Sequence, residues 1–209
     1  MTRDDVVSLA LSCDGWRWPD LRYVEFLMPA AIESAATRAA LANMSSCALF
    51  VRALWRHLGC AHPILAAPYR VGHAVSDVIQ IARDAGAWHG TEGTPGLGDV
   101  VLVGKEGHEH VYVVTGLDAT HGDGMHVESV DGGQGLHGAA IERRTRLWPT
   151  WADRWRDVND LGSDRPVRGW ADSLRVASHV DSASRASASS AANAATSSGL
   201  AAAWPRQTN

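Results

Sequence analysis

Three residues of this 209-residue chain have types and neighbours suited to nucleophilic catalysis: Cys47, His110 and Asp131. Cys47 follows Ser45 and Ser46, either of which suits an N-cap, so it falls in the first turn of a predicted helix. There the unpaired N–H groups and the helix dipole stabilise a thiolate. A histidine brought to it from elsewhere in the chain lowers a thiol further, by several units from its free value of about 8.5. The competing reading is packing. Cys47 shares a face with Phe50, Val51 and Leu54, and a buried cysteine is commonly a small inert hydrophobe.

His110 opens a predicted strand directly after another strand and a short loop. That placement holds an imidazole at a sheet edge facing a helix end, where it can serve as general base to a thiol. A third polar group should orient the ring and set its tautomer. Asp131, at the end of the next strand, is placed to do so. Its rival Glu128 lies three residues earlier on an alternating strand and so faces the other side. Asp131-Gly132-Gly133 reads equally well as ordinary turn chemistry.

The elements that must position these groups divide into a helical front half and a stranded back half. Thr2 caps a helix through about Leu11, with Asp4 and Asp5 at its positive end and Gly15 as its stop. A second helical region runs from Leu21 to Met44, with Pro29 kinking it or opening a new helix. In the Cys47 helix, Val51, Leu54, Trp55 and Leu58 fall on one face, and Gly59 ends it. A further helix spans Ala74–Ala85. Beyond the turn residues Thr94–Gly98, strands are expected at Asp99–Val103, His110–Thr115, Met125–Val130 and Ala139–Arg146. Helices followed by a meander of strands predict an α+β domain with its helices packed on one face of a small antiparallel sheet.

Ser46-Cys47-Ala48-Leu49-Phe50-Val51-Arg52, running to Gly59, resembles the nucleophile helix of NlpC-type and CHAP-type papain-fold cysteine peptidases and amidases. Gly98-Asp99-Val100-Val101 resembles their Gly-Asp-apolar strand, and His110-Val111-Tyr112-Val113-Val114-Thr115-Gly116 the strand that supplies their base. Ser129-Val130-Asp131-Gly132-Gly133-Gln134 is similar to the strand end giving their third polar member. The resemblance covers about Asn43–Gln134 and implies a papain-like fold with a Cys47–His110–Asp131 constellation. It also implies a cysteine hydrolase acting on an amide or peptide bond, with bacterial peptidoglycan as the expected substrate. Two departures stand out: the residue before the nucleophile is Ser46 where Asp is usual, and the upstream oxyanion Tyr has no clear match. Tyr23, Asn43 and Gln134 are the substrate or oxyanion candidates. The alternatives are a protein-directed deamidase or acyltransferase on the same dyad, and a catalytically silent module that binds wall or partner protein.

Composition narrows the classes further. A formal net charge of −4 argues against a nucleic-acid partner, which needs a basic face. Three cysteines are too few for a disulfide framework. No stretch approaches the roughly 20 apolar residues of a membrane span, and the acidic N-terminus lacks a signal-peptide pattern. These features read as a cytoplasmic protein, or one exported by a signal-independent route, with an inhibitor or immunity protein as a further expected partner. No cofactor is expected. His108, His110, His121 and His126 invite a zinc reading, but no ligand pair at characteristic spacing completes the site. Trp148, Trp151 and Trp155 recur as a helical stripe, read as packing before sugar stacking. Residues 1–177 form the predicted catalytic domain, and 178–209 an Ala/Ser-rich disordered tail.

Overall fold

A strand in which every residue is apolar needs cover on both faces, and the run Val-Val-Leu-Val at positions 100–103 is buried throughout. The reason is visible in the computed structural model, which describes residues 1–70, 72, 74–119, 122–134, 138–149, 156–159 and 164–179. Seven strands, β1 (Trp88–His89), β2 (Val100–Val103), β3 (His110–Asp118), β4 (Gly124–Gln134), β5 (Ala140–Pro149), β6 (Arg156–Asn159) and β7 (Asp164–Ala171), make one sheet. Each of β2 to β6 pairs antiparallel with the next, β6 with β7 and β7 with β2, closing a six-stranded barrel. The short β1 adds to the last two residues of β7.

This closure corrects the expected papain-like arrangement of helices on one face of a small open sheet. The physical reason lies in alternation. Val100, Leu102, Val111 and Val113 join the helices in one apolar cluster, while Val101, Val103, Tyr112 and Val114 point the other way and form a second one with Val127, Trp148 and Val167. An open sheet would leave that second face in water. Curling the sheet on itself buries it, and register shifts in the β2–β7, β3–β4 and β4–β5 pairings supply local bends. The strands that complete the circuit, β6 and β7, were not legible from alternation. Both carry mixed burial patterns dominated by Arg and Asp.

Among the described residues, seven α-helices accompany the barrel: α1 (Arg3–Ser12), α2 (Leu21–Leu27), α3 (Ala35–Ala39), α4 (Cys47–His57), α5 (Pro63–Ala66), α6 (Ala74–Asp84) and α7 (Ser173–Ser178). A capping box between Thr2 and Asp5 starts α1. Over the expected helical region Leu21–Met44, where Pro29 is read as kinking the helix or opening a new one, α2 stops at Met28 immediately before Pro29. Helical structure resumes as α3 and a short 3₁₀ turn over Ala40–Asn43. Helix α4 is central, buried continuously from Cys47 to Trp55.

Trp148 belongs to β5 and points into the barrel, which corrects the helical stripe. Trp151 and Trp155 lie outside the described residues. Met1–His179 gather into one unit, two residues past the expected boundary, and the Ala/Ser-rich tail is likewise outside the described residues. Among those residues, no helix is long and apolar enough to cross a membrane.

Candidate active site

The start of α4 is held against β4 by a contact that only glycine permits. A Cβ on Gly132 would lie 2.6 Å from the Ser46 carbonyl oxygen and 2.7 Å from Phe50 Cβ. Gly133 has φ +76, and its Cβ would meet Ser45 Oγ at 2.6 Å. The Asp-Gly-Gly sequence is therefore part of a strand that lets a helix end approach, not a turn. Ser46 is the N-cap, but its hydroxyl makes no cap hydrogen bond to its own helix. It accepts from the Gly133 N–H at 2.8 Å and donates to the Gly138 carbonyl at 3.3 Å, pinning the helix to the barrel rim.

That seam sets Cys47 beside His110. Both are nearly enclosed, 5% and 8% exposed respectively. His110 is the first residue of β3 and shares its side with Tyr112 and Val114, so its ring lies at the rim on the barrel's inner side. Its Nε2 bonds Asp131 Oδ2 at 2.7 Å, leaving Nδ1 for the thiol. Burial by itself would push the Cys47 thiol up. The hydrogen bond and charge of His110 outweigh it, with help from the Ser45 hydroxyl and the Val111 backbone, and hold the thiol below its ordinary value. Burial likewise disfavours the imidazolium, yet Asp131 and Cys47 together raise His110 to about 9. The lowered thiol and the raised imidazole both favour thiolate and imidazolium.

Asp131 has no exposed surface. Its burial is offset by Arg146, His110 and Ser129, which keep the carboxyl below its usual range. Ser129 Oγ donates to Oδ1 at 2.6 Å, and Arg146 Nη2 donates to Oδ2. Glu128 is turned to the outer face and pairs with Arg143 at 3.2 Å, as its parity on the strand requires. The structure therefore brings Cys47, His110 and Asp131 into one line.

No family model, curated protein or solved structure matches this chain. What the site can do has to be argued from its own atoms. A thiol at a helix N-terminus beside an imidazole held by a carboxylate has the parts of an acyl-transfer nucleophile.

The remaining sequence candidates fall differently. Tyr23 on α2 is fully buried, its phenol facing Ser46 without a well-formed hydrogen bond among the described residues. Asn43 is exposed at the end of the 3₁₀ turn. Gln134 is half-buried and accepts from Arg144 Nε at 3.1 Å. His108 is exposed and His126 pairs with Asp123 at 3.0 Å, while His121 lies outside the described residues. Among those residues no group of three His, Cys, Asp or Glu could hold a metal ion.

Sequence reasoning missed Ser129, Arg146 and Asp157, which stand behind Asp131. A signal existed for two of them. Val127-Ser129-Asp131 and Arg146-Trp148 are same-face runs in which polar residues interrupt apolar ones, the mark of a buried polar network. Asp157 lies on β6, whose sequence carries no such pattern.

Proposed function

We propose that this chain is a cysteine hydrolase that cleaves an amide or peptide bond, with peptides of bacterial peptidoglycan as the preferred substrate class. The observation that carries the chemistry is the Cys47–His110–Asp131 line at the start of α4, with the thiol lowered and the imidazole raised. The substrate class is supported by the order of its motifs, Cys, Gly-Asp, His and acid, which resembles that of NlpC-type and CHAP-type enzymes.

In this reading the Cys47 thiolate attacks the carbonyl carbon, and the displaced electron pair moves onto oxygen, which the Cys47 N–H receives. His110 gives its proton to the leaving nitrogen as the C–N bond breaks, leaving a thioester and a free amine. His110 then takes a proton from water as the water attacks the thioester. The C–S bond then breaks, the carboxylic acid departs, and Cys47 is again a thiolate beside a protonated His110. Asp131 stabilises the imidazolium without accepting its proton. A deamidase or acyltransferase shares every step up to the thioester. It differs in releasing ammonia from a glutamine side chain, or in passing the acyl group to an amine.

Alkylation by iodoacetamide across pH, read by mass spectrometry at Cys13, Cys47 and Cys60, tests the nucleophile. Fast labelling of Cys47 alone near about pH 6, slowed in His110→Ala, is expected of an imidazole-activated thiolate. Labelling only near the free-thiol value of about 8.5 in both proteins would sink the reading. Released peptides from purified sacculi, set against ammonia release from glutamine peptides, then separate hydrolase from deamidase. A silent binding module would retain its binding and lose nothing in Cys47→Ala.

A further inference from the structure

Beside the apolar cluster of Val101, Val103, Val127 and Val167, the interior of the barrel also holds buried charges. Arg146 on β5 uses all three of its guanidinium nitrogens on buried side chains. Nη2 donates to Asp131, Nε to Ser129 Oγ at 2.9 Å and Nη1 to Asp157 Oδ2 at 2.6 Å. Its Cζ also lies 3.8 Å from the centroid of the Tyr112 ring. Asp157 in turn accepts from the Tyr112 hydroxyl at 2.8 Å and from Trp148 Nε1 at 3.2 Å. Two carboxylates and one guanidinium, all almost without exposure, are thus shared among β3, β4, β5 and β6. Removing such charges from water is costly, and only partners at hydrogen-bond distance offset it; each of these charges has them.

We propose that Arg146 is the positioning residue of the active site, holding Asp131 against His110 from inside the barrel, and that Asp157 on the closing strand β6 holds Arg146. This rests on the nucleophile reading of Cys47, and it gives barrel closure a catalytic consequence. Without β6 the guanidinium would have no second carboxylate to balance it. Arg146 and Asp157 then act on the thiol with opposite sign. Arg146 adds positive charge and favours the thiolate; Asp157 adds negative charge and opposes it.

Among the described residues, the groups that face this line are few. Ser45 bonds the thiol, and the Tyr69 phenol, after α5, is close enough to feel the Cys47 charge. Tyr112 on β3 and Ser129 on β4 are neutral, and so is Trp148 on β5. Strands β2 and β7 present Val101, Val103 and Val167. Among the described residues, the charges besides His110 that can move the thiol from within the barrel are therefore Asp131, Arg146 and Asp157.

The test is the pH midpoint of Cys47 alkylation in the full chain, with circular dichroism as a control for folding. Arg146→Met should raise the midpoint by about one pH unit, and Asp157→Asn should lower it by about half a unit, as expected of charges acting across a protein interior. The double variant should lie between the two single ones. Arg146→Lys keeps the charge but cannot reproduce the three-way fork, so its midpoint should fall between wild type and Arg146→Met. A role confined to stability would move both single variants the same way, or neither, and either result overturns the inference. If Arg146→Met does not fold, the direction of the Asp157→Asn shift and the place of the double variant decide the matter. A wild-type Cys47 without enhanced reactivity would instead overturn the nucleophile reading, so the two failures are distinct.

Discussion

Two buried arginine–aspartate clusters lie in this molecule, and they are built for different ends. In the barrel, Arg146 spends its donors on side chains, two of them carboxylates that are themselves fully enclosed. Under the helices, Arg52 on α4 pairs with Asp77 on α6 at 3.3 Å but gives Nη2 to the backbone carbonyls of Ile64 and Ala67. Asp77 then leads outward to Arg70, whose side chain is 65% exposed, at 3.0 Å. The charges of the first cluster raise Arg146 above its ordinary value despite burial. In the second, burial dominates and lowers Arg52. A guanidinium tied to carbonyls ties elements together. One tied to carboxylates sets the charge on its neighbours, and only the barrel cluster has an ionisable histidine at its end.

The contrast breaks most sharply if the two aspartates behave alike. Asp131→Asn should cut turnover by about 10²–10⁴-fold, the usual reach of a base and its orienting partner. The sign of its pH effect also follows. His110 is raised to about 9 chiefly by Asp131, set against burial. Activity that needs the imidazolium is therefore present below that value and lost as pH rises through it. In Asp131→Asn the alkaline limb should move down toward the free-imidazole value of about 6.5. Asp77→Asn should leave both turnover and this limb in place at a temperature where the protein is folded. Matching losses of turnover in the two variants would erase the distinction.

A smaller effect sharpens the comparison from the other side. Arg52→Met should lower stability by about 2–3 kcal/mol, somewhat less than for a fully isolated buried pair because Arg70 still meets Asp77. Denaturant melts would read this, while the Cys47 alkylation midpoint stays where it is in wild type. The smallest effect belongs to the seam between the two regions. Ser46→Ala removes one hydrogen bond to Gly133 and one to Gly138 and should cost about 1–2 kcal/mol in the same melts. It should also lower the alkylation rate of Cys47, since the helix end is no longer pinned at the rim.

The site was legible from sequence wherever its geometry is local. A residue's place in the first turn of a helix is written in the caps beside it, which is why Cys47 could be singled out. Strand parity separates Asp131 from Glu128 with no knowledge of the fold, because successive side chains alternate faces whatever the strand pairs with. Ser46 is different. It looks like an ordinary N-cap, yet its hydroxyl serves Gly133 and Gly138, more than 80 residues away. Gly132 and Gly133 have turn composition and became a docking surface because α4 lies on them.

By itself, then, the sequence determined the helix that begins at Cys47, the presence of β2 to β5, and the opposite facing of Asp131 and Glu128. Each of these follows from a period of 2 or 3.6 that neighbouring residues impose on one another. Only the tertiary structure decided that the sheet closes, that Arg146 is shared between Asp131 and Asp157, and that the Cys47–His110–Asp131 line rests on that buried charge network. Closure depends on β7 finding β2 across a long separation, where backbone hydrogen bonds form with little regard to side chain and no local pattern announces the partner.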